Sequence, residues 1–379
     1  MGKRVLVGMS GGVDSSVAAA LLVEAGYEVI GVTLNVWPEH DPTQALVERA
    51  DACCALGAVE DARRVAAQLG IPYYVLNFRE VFRRTVMANF AAEYARGRTP
   101  NPCVRCNQFV KFDALLARAA ALDADYVATG HYARIDRDPA SGRWRLRKAV
   151  DRHKDQSYVL YVLSQERLAR TLFPLGERAK AEVRALAARL GLVTATKPES
   201  QEICFVPAND YRAYLARVAP ETRRSGPIVD LAGRVLGQHE GIAYYTIGQR
   251  RGLGLAVGEP LYVVDILAEE NTLVVGPREA LFAEGCLVED VNWVALPPLA
   301  EPLAAAARIR YRAEEVACLL APAGADQLVV RFAAPQRAVT PGQAIVFYAD
   351  DVVLAGGTIA RRLDAREWAE ATAAVGAAV

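Results

Sequence analysis

The stretch Lys3–Val17, KRVLVGMSGGVDSSV, decides how this 379-residue chain is read. Its first half is a short run rich in β-branched and apolar residues. Its second half has helical periodicity and continues to Gly26. Between them lies a Gly/Ser turn. Gly11 and Gly12 allow a tight turn that brings backbone N–H groups close to an anion. The following helix points its positive end at the same place. Ser10, Ser15 and Ser16 add hydroxyls. The loop lacks the lysine of a Walker A motif, and it is not GxGxxG. Such a loop suits binding of pyrophosphate as a unit, with chemistry at the α-phosphate.

Working outward, strand and helix patterns alternate through the first two hundred residues. YEVIGVTLNVW, PYYVLNF and ADYVATGHY read as strands. EDARRVAAQLG, EVFRRTVMANFAAEYARG, FDALLARAAALD and KAEVRALAARLG read as helices. This alternation predicts an α/β fold with a doubly wound, mostly parallel sheet, whose ligands sit beyond the carboxyl ends of the strands. DPASG, at Asp138–Gly142, is a turn between two basic strands. Near residue 207 the pattern changes to short strands separated by Gly, Pro and Asn. The expected division is a nucleotide-binding catalytic domain over 1–207, a mostly β linking domain over 208–278, and an antiparallel β-barrel over 279–379. The Ala-rich end, Arg366 onward, reads as a short helix or a frayed terminus.

Hydrophobic residues make up 53% of the chain, which argues for sizeable cores and against disorder. No apolar run approaches a membrane span, and MGKRVLVGMS lacks the features of a signal peptide. A cytoplasmic location with reduced thiols is therefore expected. Basic and acidic residues balance at 44 each, so charge alone gives no hint of nucleic acid. Two clusters concentrate the positive charge: Arg134 through Lys154, and Arg308, Arg310 and Arg312. Each by itself reads as a solvated face.

Seven cysteines is an odd number and argues against a disulfide framework. Cys286 and Cys318 lie in apolar β-type runs and read as small core residues. Cys53 and Cys54 read the same way. Cys103 and Cys106 lie in the loop TPNPCVRCN (Thr99–Asn107), just before a helix expected near Asn107, where a thiol shifts toward thiolate. Cys204 follows in a polar loop. Half a zinc site, an iron-sulfur cluster with Cys204 as third ligand, and persulfide or disulfide chemistry all remain open on these residues.

SGGVDSS resembles the PP-loop of the ATP pyrophosphatase superfamily. GMSGGVDSSV, TPNPCVRCNQFVKF, ATGHYAR, KDQSYVLY, SQEICFV, YYTIGQRRGLG, RIRYR and PGQAIVFY occur in the order found in the tRNA-specific 2-thiouridylases. The resemblance covers the chain to about residue 360. It implies ATP with magnesium, adenylation of the C2 oxygen of the wobble uridine in tRNAs for Lys, Glu and Gln, and replacement of that oxygen by sulfur. It implies two partners, the tRNA anticodon region and a sulfur-donor protein, and no membrane. Carried over by residue, Gly8, Met9, Ser10, Gly11, Gly12, Val13, Asp14, Ser15, Leu34 and Gly130 would bind ATP. Cys106 would be the nucleophile and Cys204 the persulfide carrier. Asn101, Pro102 and Cys103 would face the target base. His131, Lys154, Asp155, Gln156, Arg310, Tyr311 and Gln343 would contact tRNA, and both basic clusters then read as RNA-facing. The family usually has Asp where this chain has Cys103, which makes an iron-sulfur cluster on Cys103, Cys106 and Cys204 a rival route. Two further alternatives are a PP-loop enzyme with another nucleophile, and a sulfur-relay scaffold that binds RNA without catalysis.

Overall fold

The computed structural model describes residues 2–36, 56–198, 203–256, 258–324, 326–364 and 366–368. The expected readings of Cys53 and Cys54 fall outside them. The chain forms two compact units. The first comprises Met1–Met87, Pro102–Asn209 and Asp351–Val353. The second comprises Ala88–Asn101, Asp210–Asp350 and Leu354–Val379.

The first unit is the expected α/β layer structure. Strands β1 (Arg4–Gly8), β2 (Glu28–Asn35), β3 (Tyr73–Asn77) and β4 (Tyr126–Thr129) lie in one sheet. β5 (Ala133–Arg137) and β6 (Trp144–Lys148) pair as an antiparallel hairpin outside this sheet, and β7 (Thr171–Leu172) completes the sheet in the order β3-β2-β1-β4-β7. All four pairings are parallel. Val5, Leu6 and Val7 have no solvent exposure, because helices cover both faces. Each such side chain contributes about 1.5–3 kcal/mol. The strand order reverses between β1 and β4, and their carboxyl ends, Gly8 and Thr129, flank the crevice that this reversal opens.

The second unit is β-rich. β8 (Gly226–Val229), β9 (Val235–His239), β10 (Tyr262–Leu267) and β11 (Thr272–Gly276) form a sheet in the order β10-β11-β8-β9. β12 (Phe282–Trp293), β13 (Leu303–Arg308), β14 (Val316–Pro322), β15 (Leu328–Arg337), β16 (Ala344–Ala349) and β17 (Val352–Leu363) follow. They run β12-β15-β14-β13-β16-β17, and a direct β12–β17 pairing closes the barrel. Its interior is apolar and includes Cys286 and Cys318. Burial holds both thiols protonated, Cys318 with a pKa pushed up to about 12. They are core residues, as their setting in the sequence implies.

Candidate active site

Helix α1 (Val13–Glu24) starts at Gly12, and no side chain caps its first turn. Its N-terminus therefore offers N–H groups at the crevice. The loop before it is held from several directions. Thr33 Oγ1 donates to the Met9 carbonyl at 2.6 Å and accepts from the Tyr73 hydroxyl at 2.7 Å. Ser15 Oγ accepts from Ser10 N at 3.1 Å and lies 3.1 Å from the Gly12 carbonyl, to which it donates. Gly11 has φ +68°, and a Cβ there would stand 2.1 Å from the Ala58 carbonyl oxygen, so only glycine fits. Gly130 closes the other side. A Cβ on it would come within 2.6 Å of Ser15 N.

Asp14 points away from a purely phosphate role. Lys180 Nζ donates to both its oxygens, at 2.7 and 2.8 Å, and the Tyr132 hydroxyl donates to Oδ1 at 2.8 Å. Lys180 is only 9% exposed and lies 5.6 Å from the Tyr132 ring centroid. It is the first residue of the helix Lys180–Arg189, an end where the helix dipole disfavours a cation. That misplaced charge is explained by its partner 166 residues away in sequence.

The cysteine segment differs from expectation. The helix begins at Pro102, not near Asn107, so Cys103 and Cys106 lie within it. Proline is well placed there, since the first helical turn needs no N–H donor from it. From Cys106 to Ala114 the winding is π-helical. Its i→i+5 pattern brings Cys106 and Lys111 to one face, and both line a cavity of about 220 Å³. Gly8, Ser10, Asp14 and Ser15 line the same cavity, as do Leu34 and Gly130. So do His131, Gln156 and Cys204. The two thiols assigned to sulfur chemistry and the nucleotide loop therefore share one space. Lys111, Thr129 and Lys180 were missed by sequence reasoning. Only the cation at a helix start carried a signal.

His131 is buried, with Nδ1 2.7 Å from Thr129 Oγ1 and Nε2 3.5 Å from Lys111 Nζ. Burial, then the nearby Lys111 charge, hold its pKa well below the usual histidine value. The ring is neutral at pH 7 and can serve as an uncharged donor or acceptor. Gln156 Oε1 accepts from Tyr132 N at 3.0 Å.

Other expected contacts lie elsewhere. Cys103 is exposed and does not line the cavity. Among the described residues no three His, Cys, Asp or Glu side chains converge as a metal site, so Cys103, Cys106 and Cys204 do not fit an iron-sulfur cluster in this arrangement. Asp155 is buried and accepts from Ala149 N, Ser157 N and Ser157 Oγ, which shapes its own loop. Lys154 beside it is half-buried. In the second unit, Arg310 donates to the Arg337 carbonyl at 2.7 Å and Tyr311 is exposed. Gln343 Nε2 donates to the Thr99 carbonyl at 2.9 Å, and Thr99 N donates to the Pro341 carbonyl at 2.9 Å. These bonds tie Thr99 to the segment just before β16 within the second unit.

The basic hairpin is less positive than its sequence. Arg145 pairs with Asp136 at 2.7 Å and Asp138 at 3.1 Å, Arg147 with Asp136 and Asp351 at 2.9 Å each, and Arg134 with Asp351. Arg308 pairs with Glu315 at 2.7 Å. Part of the charge in both clusters is therefore engaged in ion pairs within the chain.

A parallel sheet with a glycine-serine loop and an uncapped helix start at its switch point defines a nucleotide-binding PP-loop protein. Three family models match successive parts of the chain. The tRNA methyl transferase HUP domain matches residues 3–208, the tRNA methyl transferase PRC-barrel domain 212–277, and the aminomethyltransferase beta-barrel domain 283–359. The tRNA-specific 2-thiouridylase MnmA of Symbiobacterium thermophilum is 56% identical over 96% of this chain and 93% of its own. That of Carboxydothermus hydrogenoformans is 55% identical over 95% of this chain and 98% of its own. A 4-thiouridine synthetase–RNA complex with bound ATP aligns at 16% identity and TM-score 0.34, over 58% of this chain and 51% of that one. This chain belongs to the tRNA-specific 2-thiouridylase family.

Proposed function

We propose that this chain is an ATP-dependent tRNA-uridine 2-sulfurtransferase acting on the wobble uridine of Lys, Glu and Gln type tRNAs. The observation that carries the reading is the single cavity lined by the PP-loop, Cys106 and Cys204. ATP with magnesium is the nucleotide. Its phosphates lie on the Gly8–Ser15 loop, and Leu34 and Gly130 border the nucleoside. The uridine C2 oxygen attacks the α-phosphate and pyrophosphate leaves. This step is needed because a uracil carbonyl oxygen is a poor leaving group, whereas AMP is a good one.

Cys204 receives sulfur as a persulfide from a donor protein. The outer sulfur attacks C2, and AMP departs. The Cys106 thiolate then attacks Cys204 Sγ and breaks the sulfur–sulfur bond, which leaves 2-thiouridine and a Cys106–Cys204 disulfide. A thiol reductant restores both cysteines. The uridine must leave its stack to reach the cavity. Asn101, Pro102 and Cys103 border the base, and His131, Lys154, Asp155, Gln156, Arg310, Tyr311 and Gln343 take part in holding the anticodon arm, largely through shape and phosphates. The catalytic part spans 1–207, the linking part 208–278 and the barrel 279–379. The requirement for reduced thiols places the enzyme in the cytoplasm. No helix among the described residues is long and apolar enough to cross a membrane.

The test is mass spectrometry of an unmodified tRNA after incubation with ATP, magnesium, the protein and a sulfide or persulfide source. The reading expects 2-thiouridine at the wobble position with matched AMP and pyrophosphate. Pyrophosphate release without sulfur transfer would instead indicate another adenylating enzyme. No pyrophosphate release would indicate a scaffold.

A further inference from the structure

We propose that the linking sheet carries a second RNA contact, a phosphate-binding face built on the loop Gln249–Gly254. The proposal rests on the reading of the substrate as tRNA. The stretch YYTIGQRRGLG (Tyr244–Gly254) lines no part of the catalytic cavity. It does line two surface cavities that share Gly252, Leu253 and Gly254. Arg250 borders one, and Arg212 and Arg223 border the other. Each cavity also has one carboxylate on its wall, Glu259 and Glu240 respectively.

Two observations separate this face from the other basic segments. The first is charge. Arg223, Arg250 and Arg251 are exposed, and with Arg212 they make no ion pair among the described residues. Arg134, Arg145, Arg147 and Arg308 are, by contrast, paired with carboxylates. The second is order. The Gln249 side chain accepts from Thr246 N at 3.2 Å and donates to the Arg251 carbonyl at 2.9 Å, which braces the loop. The Arg212 guanidinium lies 5.3 Å from the Tyr245 ring centroid and next to Gly252, whose φ is +74°. A guanidinium already held beside a ring loses less entropy on binding an anion than a free one, and arginine forks match phosphate oxygens. Uncompensated arginines on a braced loop suit the regularly spaced phosphates of an RNA backbone.

The experiment replaces Arg223, Arg250 and Arg251 with alanine together in the full chain. Affinity for full-length tRNA is then measured by fluorescence anisotropy at several salt concentrations. The expected result is a loss of about tenfold or more near 0.1 M salt. The slope of log affinity against log salt should fall by about 2, since each lost phosphate contact removes roughly 0.7–0.9. Thermal midpoint, ATP affinity and the rate of 2-thiouridine formation at saturating tRNA stay at wild-type values. Unchanged affinity and slope in the triple variant, with wild-type protein binding tRNA normally, would overturn the proposal and leave the catalytic reading standing. So would weakened capture of a protein partner with tRNA binding intact. Failure of the wild-type chain to bind tRNA would instead strike the catalytic reading.

Discussion

Gly130→Ala isolates the contact on which the nucleotide site depends. Gly130 has an ordinary φ, so alanine meets no conformational penalty there, and the whole effect comes from space. The added Cβ would stand 2.6 Å from Ser15 N and 2.7 Å from the Asp14 carbonyl carbon. Both neighbours are backbone at the start of α1 and cannot rotate away. Reaching ordinary contact at 3.4 Å requires the β4 turn and the helix start to separate by roughly 0.8 Å. Overpacking of this kind costs about 1–3 kcal/mol in stability. A misplacement near 1 Å in a catalytic constellation costs on the order of 10²-fold in rate. The expected variant is therefore folded, with a thermal midpoint lower by several degrees. Its tRNA-dependent pyrophosphate release should fall by one to two orders of magnitude. The assay is coupled pyrophosphate detection over a range of ATP concentrations, beside thermal unfolding. Wild-type ATP dependence and rate in a folded Gly130→Ala protein would refute the assignment of this crevice to nucleotide.

Two further predictions concern buried charge. Lys180→Met leaves the Asp14 carboxylate with the Tyr132 hydroxyl alone. Asp14 keeps 29% of its side chain exposed, so the cost should be about 1–3 kcal/mol, below that of breaking a fully buried pair. Adding Asp14→Asn should recover most of it, and urea midpoints of the single and double variants check this. His131 is held neutral, with its folded pKa below 6.5. Below pH 6.5 the unfolded chain binds a proton there that the fold does not, so stability falls as pH drops through that value, by up to about 1.4 kcal/mol per unit until the folded pKa is reached. Urea midpoints at pH 5.5 and 7.5 should show a shallower decline in His131→Gln, and an equal decline would count against the buried neutral ring.

The fold was legible wherever its signal was local. Strand–loop–helix order, the glycine-serine turn and the change to short strands near residue 207 can each be read within a few dozen residues. The cavity needed more. Asp14 and Lys180 meet across 166 positions, and nothing in either neighbourhood names the other. The π-helical winding after Cys106 escapes a 3.6-residue reading, so the helix start was placed five residues too late. Counting arginines does not show which of them are paired. Asp136, Asp138 and Asp351 pair with three of the hairpin's arginines, whereas Arg212, Arg223, Arg250 and Arg251 have no carboxylate partner among the described residues. Only three-dimensional pairing distinguishes the two cases.

The most direct test counts pyrophosphate and 2-thiouridine in the same reaction for Cys106→Ser and Cys204→Ser. If one cavity adenylates the uridine and then exchanges its oxygen through these two thiols, each variant should still release tRNA-dependent pyrophosphate and form no 2-thiouridine. Thiolated tRNA from either variant at a rate near wild type would contradict that account.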